Sequence, residues 1–261
     1  MPAICNIAAY KFVALPPLPE LSERLSAWTE AEQLKGTILL AEEGINLFLA
    51  GEPEGIDRFL SRLRQIDGLA DLEVKRSFSE TIPFKKMRVK IKREIIRMDH
   101  PAIQPQAGRA PAVDAARLQR WIARGTDDEG RPLLLLDTRN DFEVDAGTFR
   151  GAVDWRLKKF TEFPQAVQTH REALRGKTIV SFCTGGIRCE KAAIYMAEAG
   201  VDHVYQLDGG ILKYFEETGG AGFEGNCFVF DERRALNSEL AVEPYDEPGA
   251  ESGAGPAAPA R

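Results

Sequence analysis

The chain has 261 residues, of which 44% are hydrophobic and 28% charged, with a formal net charge of −6. That length holds two compact domains, while cysteines only at positions 5, 183, 189 and 227, with no C-x2-C pair, exclude a disulfide framework and a cysteine zinc clip. No apolar run is long enough to cross a bilayer, and Met1-Pro2-Ala3-Ile4-Cys5 lacks the charged and apolar segments of a signal peptide, so a cytoplasmic, reducing location is expected.

From the N-terminus, Ile4 to Leu15 reads as a strand closed by Pro16-Pro17 and Pro19, and a helix follows from Leu21 to Leu34 with Gly36 at its exit. Thr37 to Leu40 and Asn46 to Ala50 read as strands joined across Glu42-Glu43-Gly44. Ile56 to Ile66 is an amphipathic helix with Phe59, Leu60, Leu63 and Ile66 on one side. From Lys86 to Lys92, Met87, Val89 and Ile91 alternate with cations, which predicts a strand with an inward apolar face. The order βαββαβ predicts a ferredoxin-like domain over residues 1–100. Its cation row, Lys86, Arg88, Lys90 and Lys92, lies in a stretch, residues 75–97, holding nine Lys/Arg against Glu80 and Glu94. The acidic excess lies instead in residues 216–261, so the net charge does not exclude nucleic acid. The row reads either as a solvated face or as a contact for a phosphate backbone.

A linker rich in Pro, Gln and Ala, residues 101–112, precedes a second domain over residues 113–220. A helix is expected from Val113 to Ala123. The near-continuous apolar strand Leu133 to Leu136 then ends in Asp137-Thr138-Arg139, the mark of a parallel sheet covered on both faces. A helix from Pro164 to Leu174 precedes the apolar run Ile179 to Phe182. His203 to Leu207 is a short strand leading through Asp208-Gly209-Gly210 to a helix from Ile211 to Thr218. A C-terminal extension covers 221–261 and is expected to be disordered after about residue 238, where it turns acidic and then rich in Gly, Ala and Pro.

The stretch that carries chemistry is Cys183-Thr184-Gly185-Gly186-Ile187-Arg188-Cys189, placed between a strand and a helix. Two glycines allow a sharp turn that gathers amide N–H groups at the helix N-terminus. Those amides and Arg188 favour a thiolate, so Cys183 is the candidate nucleophile and is expected to be partly exposed. The plainer reading is that Cys183 ends a buried strand and the glycines serve only the turn. Cys189 reads either as a second thiol that resolves a persulfide or sulfenate on Cys183, or as a small apolar residue at a helix start. Cys5 reads as core, and Cys227 has no evident partner. Asp137 and Arg139 are read as supports of the Cys183 loop. Gly220 to Gly225 matches G-x-G-x-x-G but follows a helix, the wrong context for a dinucleotide. His170 and Glu172 with His203 are set aside as metal ligands, because residues two apart on a helix point to different sides. No metal and no resident cofactor is assigned.

The blocks Asp137-Thr138-Arg139 with Glu143, Gly147, Gly151-Ala152, the Cys183 loop and Leu207-Asp208-Gly209-Gly210 together resemble a rhodanese domain, to which the C-x4-R spacing from Cys183 to Arg188 also belongs. Cysteine phosphatases use a similar loop with C-x5-R. Ala41-Glu42-Glu43-Gly44-Ile45-Asn46, Pro83 to Lys90, Asp137 to Val144, Gly147-Thr148-Phe149, Cys183 to Lys191 and Cys227 to Asp231 resemble the tRNA uridine(34) hydroxylases, from Ile4 to about Asn237. The resemblance implies oxygen-dependent 5-hydroxylation of the wobble uridine of tRNA, with molecular oxygen as co-substrate, the anticodon region as partner and Cys183 as the functional residue. Two departures stand out: Leu47-Phe48 follow Asn46 where many relatives have Gly-Thr, and no cysteine follows Cys227, where many have a cysteine pair. Within the hydroxylase reading Cys183 either adds to C6 of uracil or carries a persulfide that is itself the reagent; the rival readings are a sulfurtransferase carrying sulfane sulfur on Cys183 and a tRNA-binding or redox-sensing module without turnover.

Overall fold

The structure is a computed structural model that describes residues 4–243; residues 1–3 and 244–261 lie outside the described residues. The first domain runs β1 (Ile4–Phe12), α1 (Leu18–Ala31), β2 (Lys35–Ala41), β3 (Gly44–Gly51), α2 (Pro53–Leu63), β4 (Lys75–Ser79) and β5 (Met87–Ile91). Both helices carry proline in the first turn, where no intrahelical N–H is needed. They bury Leu21 and Leu25, and Ile56, Phe59, Leu60 and Leu63, in one core with Ile7, Ile38, Leu40, Leu47 and Leu49 of the sheet. The strand order is β4-β1-β3-β2-β5. The turn into β3 depends on Gly44, whose φ of +146° and approach to the Lys11 carbonyl leave no room for a Cβ.

The ferredoxin-like order is present, but its last strand is β4 and not Lys86–Lys92. β1 pairs antiparallel with both β3 and β4, and β5 is a fifth strand, at the edge and parallel to β2. On β5 the cations face solvent as expected, and Met87 and Val89 pack on the core, but Ile91 is 47% exposed. The edge position explains this, because the core ends before the strand does.

The second domain contains β6 (Ala112–Val113), α3 (Ala115–Arg124), β7 (Leu133–Asp137), α4 (Asp141–Ala146), β8 (Gly147–Phe149), β9 (Val153–Asp154), α5 (Phe163–Leu174), β10 (Thr178–Phe182), α6 (Ile187–Glu198), β11 (Val204–Leu207) and α7 (Gly210–Thr218). The expected helix at Val113 starts two residues later, because Asp114 caps it by accepting from the Arg117 amide at 2.7 Å. β6-β11-β10-β7-β9 form a parallel sheet. Leu134 and Leu136 join Phe163, Val167 and Met196 on one face, while Leu135 joins Leu118, Ile211 and Tyr214 on the other. Burial on both faces is why β7 reads as an unbroken apolar run.

The segment between the domains is packed rather than loose. Ile95, Met98 and Ile103 are buried, the last two in the core of the second domain, and Ile95 touches a small cluster with Ala41 of β2 and Ile187 of α6. Beyond α7, β12 (Phe223–Gly225) pairs with β8, and β13 (Cys227–Phe228), β14 (Ala235–Leu236) and β15 (Val242–Glu243) form a small antiparallel sheet. Disorder after about residue 238 is therefore not what residues 238–243 adopt: Asn237 accepts the amides of Glu239 and Ala241 and turns the chain back into β15. The rest of the expected disordered tail lies outside the described residues.

Candidate active site

β10 delivers Cys183 to the sheet's C-terminal edge, and Gly186, with φ at +100°, caps α6. A side chain is excluded there, since a Cβ would lie 2.8 Å from the Tyr10 hydroxyl. The Gly186 amide donates to Cys183 Sγ at 3.2 Å. Burial opposes ionisation of this thiol. A hydrogen bond from Cys189, the Arg188 charge and the amides of Arg188 and Gly186 outweigh it and hold Cys183 at about 5. Cys189 moves the other way: burial, then its hydrogen bond and proximity to the Cys183 thiolate, push it well above an ordinary thiol. Of the two, Cys189 is the proton carrier.

Cys183 is 1% exposed rather than partly exposed. It is reached through a cavity of about 1060 Å³ between the two domains, lined by eight Lys/Arg side chains against four carboxylates, with Tyr10, Phe48, Phe84, Phe160 and Phe230 among its aromatic walls. The N-terminal domain forms one wall of that cavity. Because the walls come from segments far apart in sequence, no local pattern foretells the burial of Cys183.

Arg188 is held by Glu143 of α4 in a two-pronged buried pair, at 2.6 and 2.7 Å, while its Nε is buried without a hydrogen-bond partner among the described residues. Asp137 and Arg139 pair with each other at 2.7 Å, both fully buried. Arg139 also donates to the carbonyls of Glu143 and Gly147, and Asp137 accepts from Thr148. Neither is shown touching Cys183; they brace the segment that carries Glu143. Thr184 donates to the Phe228 carbonyl at 3.3 Å, and the Cys183 and Thr184 carbonyls accept from the Ile211 and Leu212 amides, which ties the loop to α7.

The N-terminal domain supplies side chains to this region. Lys75 Nζ donates to the Gly185 carbonyl at 2.8 Å, and the Tyr10 hydroxyl donates to Glu190 at 3.1 Å. Lys191 of α6, 2% exposed, sits between Glu43 at 2.8 Å and Glu94 at 2.7 Å and donates to the Ile96 carbonyl. Glu43 also accepts the Ile95 amide. Two separate sequence blocks, 41–46 and 183–191, are thus joined by the Lys191–Glu43 ion pair.

Lys86, Arg88, Lys90 and Lys92 are exposed on β5, and Lys92 reaches the cavity wall. Cys5 lies in the first core and Cys227 in the second, where burial pushes the Cys227 thiol up to about 12. His170 stacks on Trp155, with ring centres 5.2 Å apart. Sequence reasoning missed Glu143, Lys75, Tyr10 and Lys191 as parts of the site. Glu143 alone had a local signal, the spacing of Asp137, Arg139 and Glu143 after one strand.

Residues 4–95 match the UPF0176 acylphosphatase like domain and residues 114–217 the rhodanese-like domain. A tRNA uridine(34) hydroxylase of Bordetella petrii is 72% identical over 92% of this chain and 96% of its own length, and one of Bordetella pertussis is 66% identical over 93% and 100%. The solved rhodanese-like domain of an Anabaena protein is 23% identical, covers 44% of this chain and 79% of its own, and has a TM-score of 0.36. The two family matches follow one another along the chain, the named relatives match more than nine-tenths of it, and the chain belongs to the tRNA uridine(34) hydroxylase family.

Proposed function

We propose that this protein hydroxylates C5 of the wobble uridine of tRNA, with molecular oxygen as oxidant and Cys183 as nucleophile. The observation that carries the reading is a thiol held at about 5 on the wall of a cation-rich cavity with aromatic sides. Such a cavity suits a flipped-out base on a phosphate backbone, because single-stranded RNA is recognised by stacking and by cations along its chain. The curated relatives described above carry hydroxylation of tRNA uridine 34 in their names.

The Cys183 thiolate adds to C6 of uracil, forming a C–S bond and placing the displaced electron pair on the C5 and O4 enolate. C5 bonds to molecular oxygen and, with one proton, becomes a hydroperoxide. Two thiols of an external donor reduce the O–O bond, giving the C5 hydroxyl, one water and one disulfide. Loss of the C5 proton then expels the Cys183 thiolate and restores the C5–C6 double bond. Arg188, fixed by Glu143, keeps the thiolate ionised at the start and as the leaving group at the end.

Nucleoside mass spectrometry of tRNA from cells lacking the gene tests this reading. Loss of 5-hydroxyuridine derivatives, restored by the wild type but not by Cys183→Ser, is expected. Loss of thiolated nucleosides instead would install the sulfurtransferase reading. An unchanged nucleoside profile would leave a binding or redox-sensing module.

A further inference from the structure

Lys75 differs from the paired cations of the cavity, and also from Lys92, Arg93 and Lys159, which likewise form no ion pair among the described residues but are exposed. Arg188 is neutralised by Glu143, and Arg233 by Asp231 at 2.6 Å. Lys75 forms no ion pair among the described residues. It is half-buried on β4, and its ammonium is engaged by the Gly185 carbonyl inside the Cys183 loop at 2.8 Å and by the face of Tyr10, 5.7 Å from the ring centre. Lys75, Tyr10, Gly185 and Cys183 all line the same cavity. A desolvated cation is costly unless an anion compensates it, and the thiolate of the neighbouring loop is one.

We propose that Lys75, a residue of the N-terminal domain, is a positioning residue that keeps Cys183 ionised through its charge while tying down the Cys183 loop through Gly185. The N-terminal domain then does more than cover the Cys183 loop: part of the charge that activates the thiol arrives from across the interface. Burial lowers the Lys75 pKa, and the charge of the Cys183 thiolate works against that. Other charged or titratable groups bear on the two. Arg188 and Cys189 come from the Cys183 helix and Tyr10 and Glu73 from the N-terminal domain, while Asp208, Lys213 and Glu216 lie beside or on α7. On the α7 side the carboxylates and Lys213 offset one another in part, so none of them replaces Lys75.

The inference rests on Cys183 being the reactive group, which the same experiment reads separately. Alkylation of Cys183 by iodoacetamide, followed by mass spectrometry of its peptide, is measured from pH 4 to 8 in the full chain as wild type, Lys75→Met and Lys75→Arg. Lys75→Met is expected to displace the rise in rate to higher pH, with about tenfold slower reaction below the rise, the effect of one pKa unit. Lys75→Arg should restore the wild-type profile. Should Lys75→Met not fold, as judged by circular dichroism, Lys75→Gln serves in its place, removing the charge while keeping a donor. A neutral variant that loses rate equally at every pH, or keeps the wild-type profile, overturns the proposal, as does an Arg variant displaced as far as the neutral one. A wild type that alkylates like an ordinary thiol overturns both this inference and the reading of Cys183.

Discussion

Cys183 precedes the tight turn into α6 and Arg188 lies in the first turn of that helix, and their proximity sets the chemistry at the residue scale. With its thiol at about 5, Cys183 is ionised across the neutral range, so its alkylation rate should stay nearly flat from pH 6 to 8. An ordinary thiol gains about tenfold per pH unit over that range. A tenfold rise between pH 6 and 7 would show that burial, and not the cradle, governs this cysteine. Glu143→Gln tests the other half of the pair: it leaves the buried Arg188 guanidinium without its carboxylate, at a cost of about 3 kcal/mol. Thermal unfolding should then shift down by roughly 6–12 °C, and an unchanged midpoint would mean that solvent pairs Arg188. The thiolate cradle was legible in the sequence because all its parts lie within seven residues, from Cys183 to Cys189. Glu143, Lys75 and Tyr10 were not, since they converge from α4, β4 and β1 only once the domains pack.

At the scale of elements, the alternation along Met87–Ile91 gave the strand and its outer cations but not its place in the sheet. The strand that completes the ferredoxin-like order, β4, has an inverted pattern: Phe78 is 49% exposed while Ser79 is buried and accepts from Asn6 at 2.9 Å. Its position follows from backbone pairing with β1 and one internal hydrogen bond, neither of which leaves an apolar period to read. The cations on β5 admit two physical roles. Charged side chains on an edge strand prevent further strand addition, and residues two apart, about 6.6–7 Å along a strand, also match the spacing of phosphates along a single strand. Substituting Arg88, Lys90 and Lys92 by Gln is expected to weaken tRNA binding and to flatten the slope of log K against log salt by roughly two to three. Circular dichroism should be unchanged, because the inward residues are kept. A well-folded triple variant with unchanged affinity and slope would leave these residues as edge protection, and would move the RNA contact to the cavity rim around Arg97 and Lys159.

For the molecule as a whole, the decisive feature is that the cavity exists only while the two domains hold together. Ile95, Met98 and Ile103 are buried, and Lys191 is locked between Glu43 and Glu94. Lys191→Met keeps the length of the side chain but leaves two carboxylates facing each other without a cation. The expected cost is about 2–4 kcal/mol, at or below the value for a fully enclosed pair because Glu43 and Glu94 stay 13% and 17% exposed. The variant should also lose part of its acid sensitivity. Burial works against ionisation of Glu94, but its hydrogen bond from Lys191 and the amides of Met98 and Asp99 hold the carboxyl below its ordinary value of 4.5. A depressed carboxyl adds stability that is complete above the unfolded value and is lost as pH falls through the folded one. Wild-type stability should therefore fall on acidification below about pH 4.5 more steeply than that of Lys191→Met, when urea midpoints are followed from pH 7 to 3. If Lys191→Met unfolds in two steps where the wild type unfolds in one, the latch is what joins the domains into a single cooperative unit. Parallel acid profiles and an unchanged midpoint would instead assign the joining to the apolar contacts of Ile95 with Ala41 and Ile187.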